Sequence, residues 1–372
     1  ELARELHRLQ NPRACGGARG VVLEMRHNQM GLSASLHMLG VALQYAFLTN
    51  RTLVTKASDA WWFADTERCP SKSFSCWFED ISSCSETDLL AGESPHRPLV
   101  DAKGAGEAEL WEQGTGGPRV LSLVWDVQPN VLMRPQIRTY VPPKYSQMGL
   151  LWFRSQLMRH TFRLNDYTRH ALIPLLHPTI AARLTGEGVR RSSRGEDAYT
   201  NTLSGRLAGE GVHRSSQGQD ARVVVGVHVR RGDKYTESPP VALGAYKRQL
   251  LRLMRAHAPR PMCLVVSSDD HDAFRQLKEW AQGHGFELLN SDGTGDVLHS
   301  GPNQALTRRT HKLDVHAYTL SSLLSILLLS LSDAMVVTFS SNLSRLAFEL
   351  AYASGGILSP PCSLDTLWYA SP

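Results

Sequence analysis

The sequence predicts an α/β protein whose C-terminal part is a doubly wound parallel sheet, and three observations carry this. From Val223 onward, short β-prone apolar runs alternate with segments of helical period. Near the N-terminus a strand, a polar loop, a helix and a second strand follow one another. In the C-terminal half the polar residues collect where the apolar runs end. Repeated β-α units build a parallel sheet covered by helices on both faces, a Rossmann-like arrangement.

In chain order, Val21 to Met25 reads as a strand, and Leu36, Leu39, Leu43 and Phe47 continue from Leu32 at helical spacing before a strand at Thr52 to Thr55. The loop Arg26 to Gly31 is polar but lacks the several glycines of a dinucleotide fingerprint, so it reads either as an ordinary connection or as a substrate loop. From Lys56 to roughly Gly117 the chain is irregular and rich in Trp, Ser, Gly and Cys. Its aromatic clusters, Trp61-Trp62-Phe63 and Cys76-Trp77-Phe78, read as a local core in preference to a surface for stacking sugars. A strand at Val120 to Trp125 and helices over Leu150 to Phe162 and from Asp166 complete the first half.

The texture then changes. Arg183 to Ala198 (RLTGEGVRRSSRGEDA) recurs as Arg206 to Ala221 (RLAGEGVHRSSQGQDA), a single duplication with almost no apolar content. That composition reads as a flexible insertion and not as a solenoid. The expected organisation is therefore an N-terminal open α/β domain over 1–182 containing the Cys-rich loops, an insertion over 183–221, and a Rossmann-like domain over 222–372. In this last domain a strand from Val223 is followed by a helix over Ala242 to Arg255, a strand at Met262 to Ser267 and a helix at Asp270 to Gln282. Next come a short strand at Phe286 to Leu289, a long helix around Leu313 to Leu331, a strand at Ala334 to Phe339 and a helix at Leu343 to Ala353.

Composition bounds the function. With 372 residues, 42% hydrophobic and 20% charged, the chain has the make-up of a globular protein with a sizeable core. A net charge of +5, with no basic stripe interleaved with aromatics, speaks against nucleic acid as a partner. The longest apolar run, Leu320 to Leu331, is interrupted by serines and too short to span a bilayer. With no initiator Met and no signal peptide, the sequence is expected to start at a trimmed boundary, which leaves room for a membrane anchor upstream. The six cysteines, Cys15, Cys69, Cys76, Cys84, Cys263 and Cys362, show no Cys-x-x-Cys pair and no neighbouring His at zinc spacing. Crowding of Cys69, Cys76 and Cys84, with Cys15 upstream, suits disulfides in an oxidising lumen, with connectivity left open. The sequons Asn50-Arg51-Thr52 and Asn342-Leu343-Ser344 fit the same compartment.

Chemistry concentrates at strand ends. The run Val223 to Glu237 begins as a buried strand and ends in His228, Arg230, Arg231, Asp233, Lys234 and Glu237. A second strand end carries Ser267, Ser268, Asp269 and Asp270, and a third Thr338, Ser340, Ser341 and Asn342. In a parallel sheet these ends share one edge, where ligands bind. Paired arginines present fixed forks of donors that neutralise a diphosphate without a metal. Lys234 adds charge, and Glu237, ahead of Pro239-Pro240, is placed to act as a general base. Ser340, Ser341 and Asn342 lie where a strand passes into a helix, so free backbone N–H groups and hydroxyls there suit a phosphate. Asp270-His271-Asp272 reads either as a divalent-ion site or as ordinary first-turn helix acids, with the second favoured. The tripeptide Arg231-Gly232-Asp233 follows directly on a buried strand, which sets it apart from a mobile adhesion loop.

With these residues in view, the sequence resembles the α1,6-fucosyltransferase family, which moves fucose from GDP-fucose to the innermost GlcNAc of N-glycans, and its bacterial relatives acting on chitin oligosaccharides. The matching motifs are Gly226-Val-His-Val-Arg-Arg-Gly-Asp-Lys, Ser268-Asp-Asp, Leu313-Asp-Val-His, Thr338-Phe-Ser-Ser-Asn and Ser363-Leu-Asp, with weaker likeness at Leu9-Gln-Asn-Pro and Arg51-Thr-Leu. The resemblance implies two Rossmann-like domains facing each other, the first on the acceptor side and the second binding the GDP-sugar. It also implies inversion at the fucose anomeric carbon, no metal or other cofactor, and a glycan or glycoprotein acceptor. The implied setting is the Golgi lumen, as the lumenal part of a type II membrane protein. Carried over by motif, His228 and Asp314 read the guanine, and Arg230, Arg231 and Ser341 hold the diphosphate; Ser340 and Asn342, read from the strand–helix turn, join them as donor-binding residues. Glu237 is the base and Lys234 its companion at the acceptor hydroxyl, while Asp233, Tyr246, Asp269 and Asp270 line or support the site. Glu237 stands one residue closer to the arginines than in the family pattern. The duplication and the apolar turns near Leu320 to Leu331 are insertions relative to it. A different oligosaccharide or protein acceptor, or a non-catalytic nucleotide-sugar or glycan binder, is the alternative reading.

Overall fold

The computed structural model describes residues 1–25, 30–57, 59–91, 118–125, 135–177, 179–180, 222–231, 239–289, 314–355, 357 and 360–368. The chain divides into two units, Glu1–Asn165 and Asp166–Pro372. The duplicated stretch and most of the Arg26 to Gly31 loop lie outside the described residues.

The first unit contains α1 (Leu2–Gln10), β1 (Gly20–Met25), α2 (Leu32–Leu48), β2 (Thr52–Thr55), α3 (Glu86–Leu90), β3 (Val120–Trp125) and α4 (Gly149–Thr161). Its strands form a parallel sheet in the order β2-β1-β3, with Val21 opposite Leu53 and Leu121. Helix α2 is buried along almost its whole length, as its nearly unbroken apolar sequence requires. It packs on α4 so closely that a Cβ on Gly40 would lie 2.4 Å from the sulfur of Met158. The Arg51 side chain is fully buried and donates to the carbonyls of Gly20 (3.3 Å), Arg119 (2.8 Å) and Pro118 (2.9 Å), fastening the entries of β1 and β3. Burial lowers its pKa to about 10, so it stays charged at neutral pH. Trp61, Phe63, Phe74, Trp77 and Phe78 are buried against one another, the core role expected of the aromatic clusters. The expected disulfides form, pairing Cys15 with Cys84 and Cys69 with Cys76, while Cys263 and Cys362 are free thiols.

The second unit contains α5 (Asp166–Leu172), β4 (Val223–Val229), α6 (Leu243–His257), β5 (Met262–Ser268), α7 (His271–Gly283), β6 (Glu287–Leu288), α8 (Val315–Ser330), β7 (Ala334–Val337), α9 (Asn342–Ala353) and β8 (Cys362–Ser363). Helix α5 belongs to this unit, its Tyr167 hydroxyl 2.7 Å from His316 Nε2 on α8. The five strands are all parallel in the order β6-β5-β4-β7-β8. Counted within the unit this is 3-2-1-4-5, the Rossmann order.

Side-chain alternation shows the double winding. Val223, Val225, Val227 and Val229 of β4 pack with Met262, Leu264 and Val266 of β5 and with Leu243, Tyr246 and Leu250 of α6 and Ala273, Phe274 and Leu277 of α7. The other face meets α8 and α9: Ser267 bonds Ser325 at 3.2 Å, and His228 bonds Ser344 at 2.7 Å. With both faces covered, β4 is buried at every position, which explains its continuous apolar run.

Gly226 sits on the α8 face, where a Cβ would lie 2.7 Å from Ser332 Oγ and 2.9 Å from Leu329 Cδ2. Gly226→Ala is expected to destabilise the protein by about 1–3 kcal/mol, an overpacking cost, read from urea denaturation of the two forms. Equal midpoints would mean that α8 yields freely at this contact.

Candidate functional site

The Rossmann order creates a switch point between β4 and β7, where one strand is followed by crossovers to one side of the sheet and the next to the other. Polar residues at the carboxyl ends of these two strands therefore flank a crevice. Arg230 and Arg231 leave β4 there, and Thr338, Ser340 and Ser341 leave β7.

Asp269, nearly buried just beyond β5, organises the arginines. Its carboxylate pairs with the Arg230 guanidinium and accepts from the Arg231 backbone N–H at 2.7 Å. Arg231 also lies 3.6 Å from Asp270 and donates to the Val241 carbonyl at 3.3 Å. Asp270 is the N-cap of α7, accepting from the Ala273 N–H at 3.0 Å, while Asp272 in the first turn pairs with Arg275. That is the helix-acid arrangement, with the carboxylates turned to backbone and arginine. Among the described residues no group of His, Cys, Asp and Glu is arranged to hold a metal ion.

The buried side-chain atoms Arg231 Nε, Tyr246 Oη and Thr338 Oγ1 meet no partner at full hydrogen-bond geometry among the described residues, the two hydroxyls interacting with each other. They come from the end of β4, from α6 and from the end of β7. Burial keeps the Tyr246 phenol far above its ordinary pKa, hence protonated and a donor, and it lies within the influence of Thr338, Asp365, Arg231 and Asp269. Buried polar groups are nearly always satisfied, so convergent unsatisfied ones at a sheet edge mark a place for a ligand with oxygen acceptors.

His228 points from β4 to the opposite face, where its Nδ1 meets Ser344 Oγ on α9 at 2.7 Å. Burial first, and then the Arg230 charge, push the imidazole down to about 3, so it is neutral. Asp314 caps α8, accepting from the Ala317 N–H at 2.9 Å. Because α8 runs back toward β7, its N-terminus stands at the same carboxyl edge. Asp233, Lys234 and Glu237 lie outside the described residues.

The turn from β7 into α9 differs from the sequence expectation of free N–H groups. Phe339 N–H donates to Ser363 Oγ at 3.2 Å, Ser340 N–H to the Asp365 carboxylate at 3.3 and 3.4 Å, and Ser341 N–H to the Thr338 carbonyl at 3.2 Å. For Phe339 and Ser340 the expectation failed because the partners are remote in sequence. Ser341 occupies the N-cap position of α9 without a side-chain cap, and Asn342 opens the helix and accepts from Arg345 at 3.4 Å. The anion-binding capacity of this end thus belongs to the uncapped first turn of α9. Ser344, Arg345, Asp365 and Trp368 carried no role in the sequence reading. Of these, Ser344 stood in the sequon Asn342-Leu343-Ser344, and Asp365 had a signal for the site through Ser363-Leu-Asp.

No protein-family model matches the chain, and no curated protein matches it. Among solved structures, the chain is similar to the fucosyltransferase NodZ from Bradyrhizobium, with 16% identity, TM-score 0.44, and coverage of 89% of this chain and 93% of that one. It is similar to a variant of FUT1 from Arabidopsis thaliana in complex with GDP, with 14% identity, TM-score 0.46, and coverage of 94% and 72%. It is also similar to POFUT1 in complex with GDP-fucose, with 11% identity, TM-score 0.46, and coverage of 93% and 98%. Likeness at this level carries no function from one chain to another.

The buried imidazoles set a pH dependence. His160 in the first unit is pushed down to about 4 by burial and by the Arg163 charge, alongside His228 at about 3. Both take up a proton on unfolding below about pH 6.5, so their contribution is complete above that pH and declines as pH falls toward the folded values. The limiting slope is ~1.4 kcal/mol per pH unit for each ring. Urea denaturation at pH values from about 7 down to about 4.5 is expected to show this decline, and His160→Gln to remove part of it. A flat profile would mean that neither ring is held neutral.

Proposed function

We propose that the protein is an inverting glycosyltransferase that moves fucose from GDP-fucose to a GlcNAc-containing glycan, with α1,6-fucosylation of the N-glycan core as its reaction. The observation that carries this is the convergence at the β4–β7 switch point of two arginines, one with a buried and unpartnered Nε, and the buried hydroxyls of Tyr246 and Thr338. It is supported by the ordered run of family-like motifs over nearly the whole chain.

In this reading Arg230 and Arg231, steadied by Asp269 and Asp270, hold the diphosphate, together with the Thr338 and Ser341 hydroxyls and the first turn of α9. Tyr246 donates its phenolic hydrogen to a phosphate oxygen. Neutral His228 and the Asp314 carboxylate serve the guanine, whose edge offers both donors and acceptors. By the motif they share with the family, Glu237 takes the proton of the acceptor hydroxyl as that oxygen attacks the anomeric carbon, with Lys234 as its companion. The leaving GDP gains negative charge as the glycosidic bond breaks, and preformed donors at the diphosphate lower that barrier without a metal. The two disulfides of the first unit support a lumenal compartment of the secretory pathway, the Golgi, as the site of action.

The test is incubation of the protein with GDP-fucose and a panel of N-glycan, chitin-oligosaccharide and peptide acceptors in the presence of EDTA, measuring GDP release. Turnover with N-glycan acceptors is expected. GDP binding with no turnover on any acceptor would leave a nucleotide-sugar binder instead. Arg230→Ala is expected to lower turnover roughly 100-fold or more, the usual effect of removing one preorganised donor. Arg230→Lys keeps a cation for the buried Asp269 but loses the fork, so it separates catalytic loss from unfolding. Normal turnover in both variants would remove the diphosphate-clamp assignment.

A further inference from the structure

We infer that the C-terminal segment Ser363–Trp368 is a strap that sets the shape of the β7–α9 turn, and that Asp365 and Trp368 are positioning residues for donor binding; this rests on the reading of that turn as part of the donor site.

The segment starts from the sheet itself. Cys362 and Ser363 pair in parallel with Val336 and Val337, and the Leu364 N–H donates to the Val337 carbonyl at 2.9 Å, so the chain leaves at the carboxyl edge beside β7. It then takes the backbone donors of the turn: Ser363 Oγ accepts from Phe339 N–H at 3.2 Å and the Asp365 carboxylate from Ser340 N–H at 3.3 and 3.4 Å. Asp365 is itself fixed. The Thr366 N–H donates to it at 2.6 Å, and the Ser363 hydroxyl lies 3.1 Å from the same oxygen.

The carbonyl side of the turn is held from the other end of the segment. Arg345 Nε donates to the Phe339 carbonyl, and its guanidinium lies 4.0 Å from the centre of the Trp368 ring. The indole N–H of Trp368 donates to the fully buried Glu349 at 3.3 Å, which anchors the ring over Arg345. The segment thus takes the donors of this short turn directly, through Ser363 and Asp365, and its carbonyl indirectly, through the Arg345 that Trp368 covers. Thr338 and Ser341 stand at the two ends of the turn.

A carboxylate beside a diphosphate site is electrostatically adverse unless its charge is engaged elsewhere. Here the Ser340 and Thr366 N–H groups engage it, so geometry and charge make opposite demands on this residue. Asparagine keeps an acceptor oxygen for Ser340 N–H and removes the charge; alanine removes both. A positioning role requires the asparagine variant to bind donor like the wild type and the alanine variant to bind worse. If Asp365 were only an adverse charge, both variants would bind more tightly.

The experiment compares the full chain with Asp365→Ala, Asp365→Asn and Trp368→Ala, using GDP titration calorimetry, KM and kcat with GDP-fucose, and hydrogen exchange at the Phe339 and Ser340 amides. Asp365→Ala is expected to expose the Ser340 amide, weaken GDP binding about tenfold and raise KM with kcat little changed, on the scale of one charge-assisted hydrogen bond. Asp365→Asn is expected to stay within about threefold of wild type, and Trp368→Ala to move in the same direction as the alanine variant of Asp365. An exposed Ser340 amide with unchanged GDP affinity in Asp365→Ala would overturn the strap while leaving the donor site standing. Failure of the wild type to bind GDP would overturn the donor-site reading and the inference with it.

Discussion

Burial of β4 on both faces is the constraint from which the second unit follows. A parallel strand enclosed by α6 and α7 on one side and α8 and α9 on the other has no room for charge along its length. Polar function is forced to the point where the strand leaves the sheet, and there the chain changes within two residues from Val229 to Arg230 and Arg231. The same enclosure requires Gly226 where α8 comes nearest. The one polar side chain inside the strand, His228, is neutral and bonded to Ser344.

Charge at that edge is balanced before any ligand arrives. Arg230 and Arg231 lean on Asp269 and Asp270, which costs attraction for an anion but fixes the guanidinium forks in direction. A guanidinium has more donors than one carboxylate can use, so an oriented pair keeps hydrogens for a second anion. Arg231 Nε is such a hydrogen, unsatisfied and buried. Preorganisation of this kind favours a ligand whose oxygens match the forks over anions in general.

The first unit reaches rigidity differently. Its described sheet has three strands, and cohesion comes from a helix buried nearly all round, a buried arginine crossing to three carbonyls, an aromatic cluster and two disulfides. At the carboxyl end of β1, Asp59 accepts from the Met25 N–H at 2.5 Å, and burial raises its pKa, with the charges of Glu24 and Glu86 adding to that effect. Its position, more than thirty residues from the strand it serves, has no sequence signature.

What the sequence determined by itself is whatever local pattern encodes: the β–α alternation, the strands at Val21, Thr52, Val120, Val223, Met262 and Ala334, and the polar strand ends. Period and burial are written into neighbouring residues, so each element could be read within a few positions. Helix α1 went unread although Leu2, Leu6 and Leu9 carry a helical period, while the five-residue α3 and the two-residue β8 are too short to show one. Only the tertiary structure decided the strand order, because it depends on which edges pair and not on any segment's composition. That order puts the ends of β4 and β7 side by side, brings Tyr246 under them, and lets residues near the end of the chain take the backbone hydrogens of Phe339 and Ser340. Hydrogen-bond partners separated by twenty or more residues leave no period to detect; they exist only once the chain has folded.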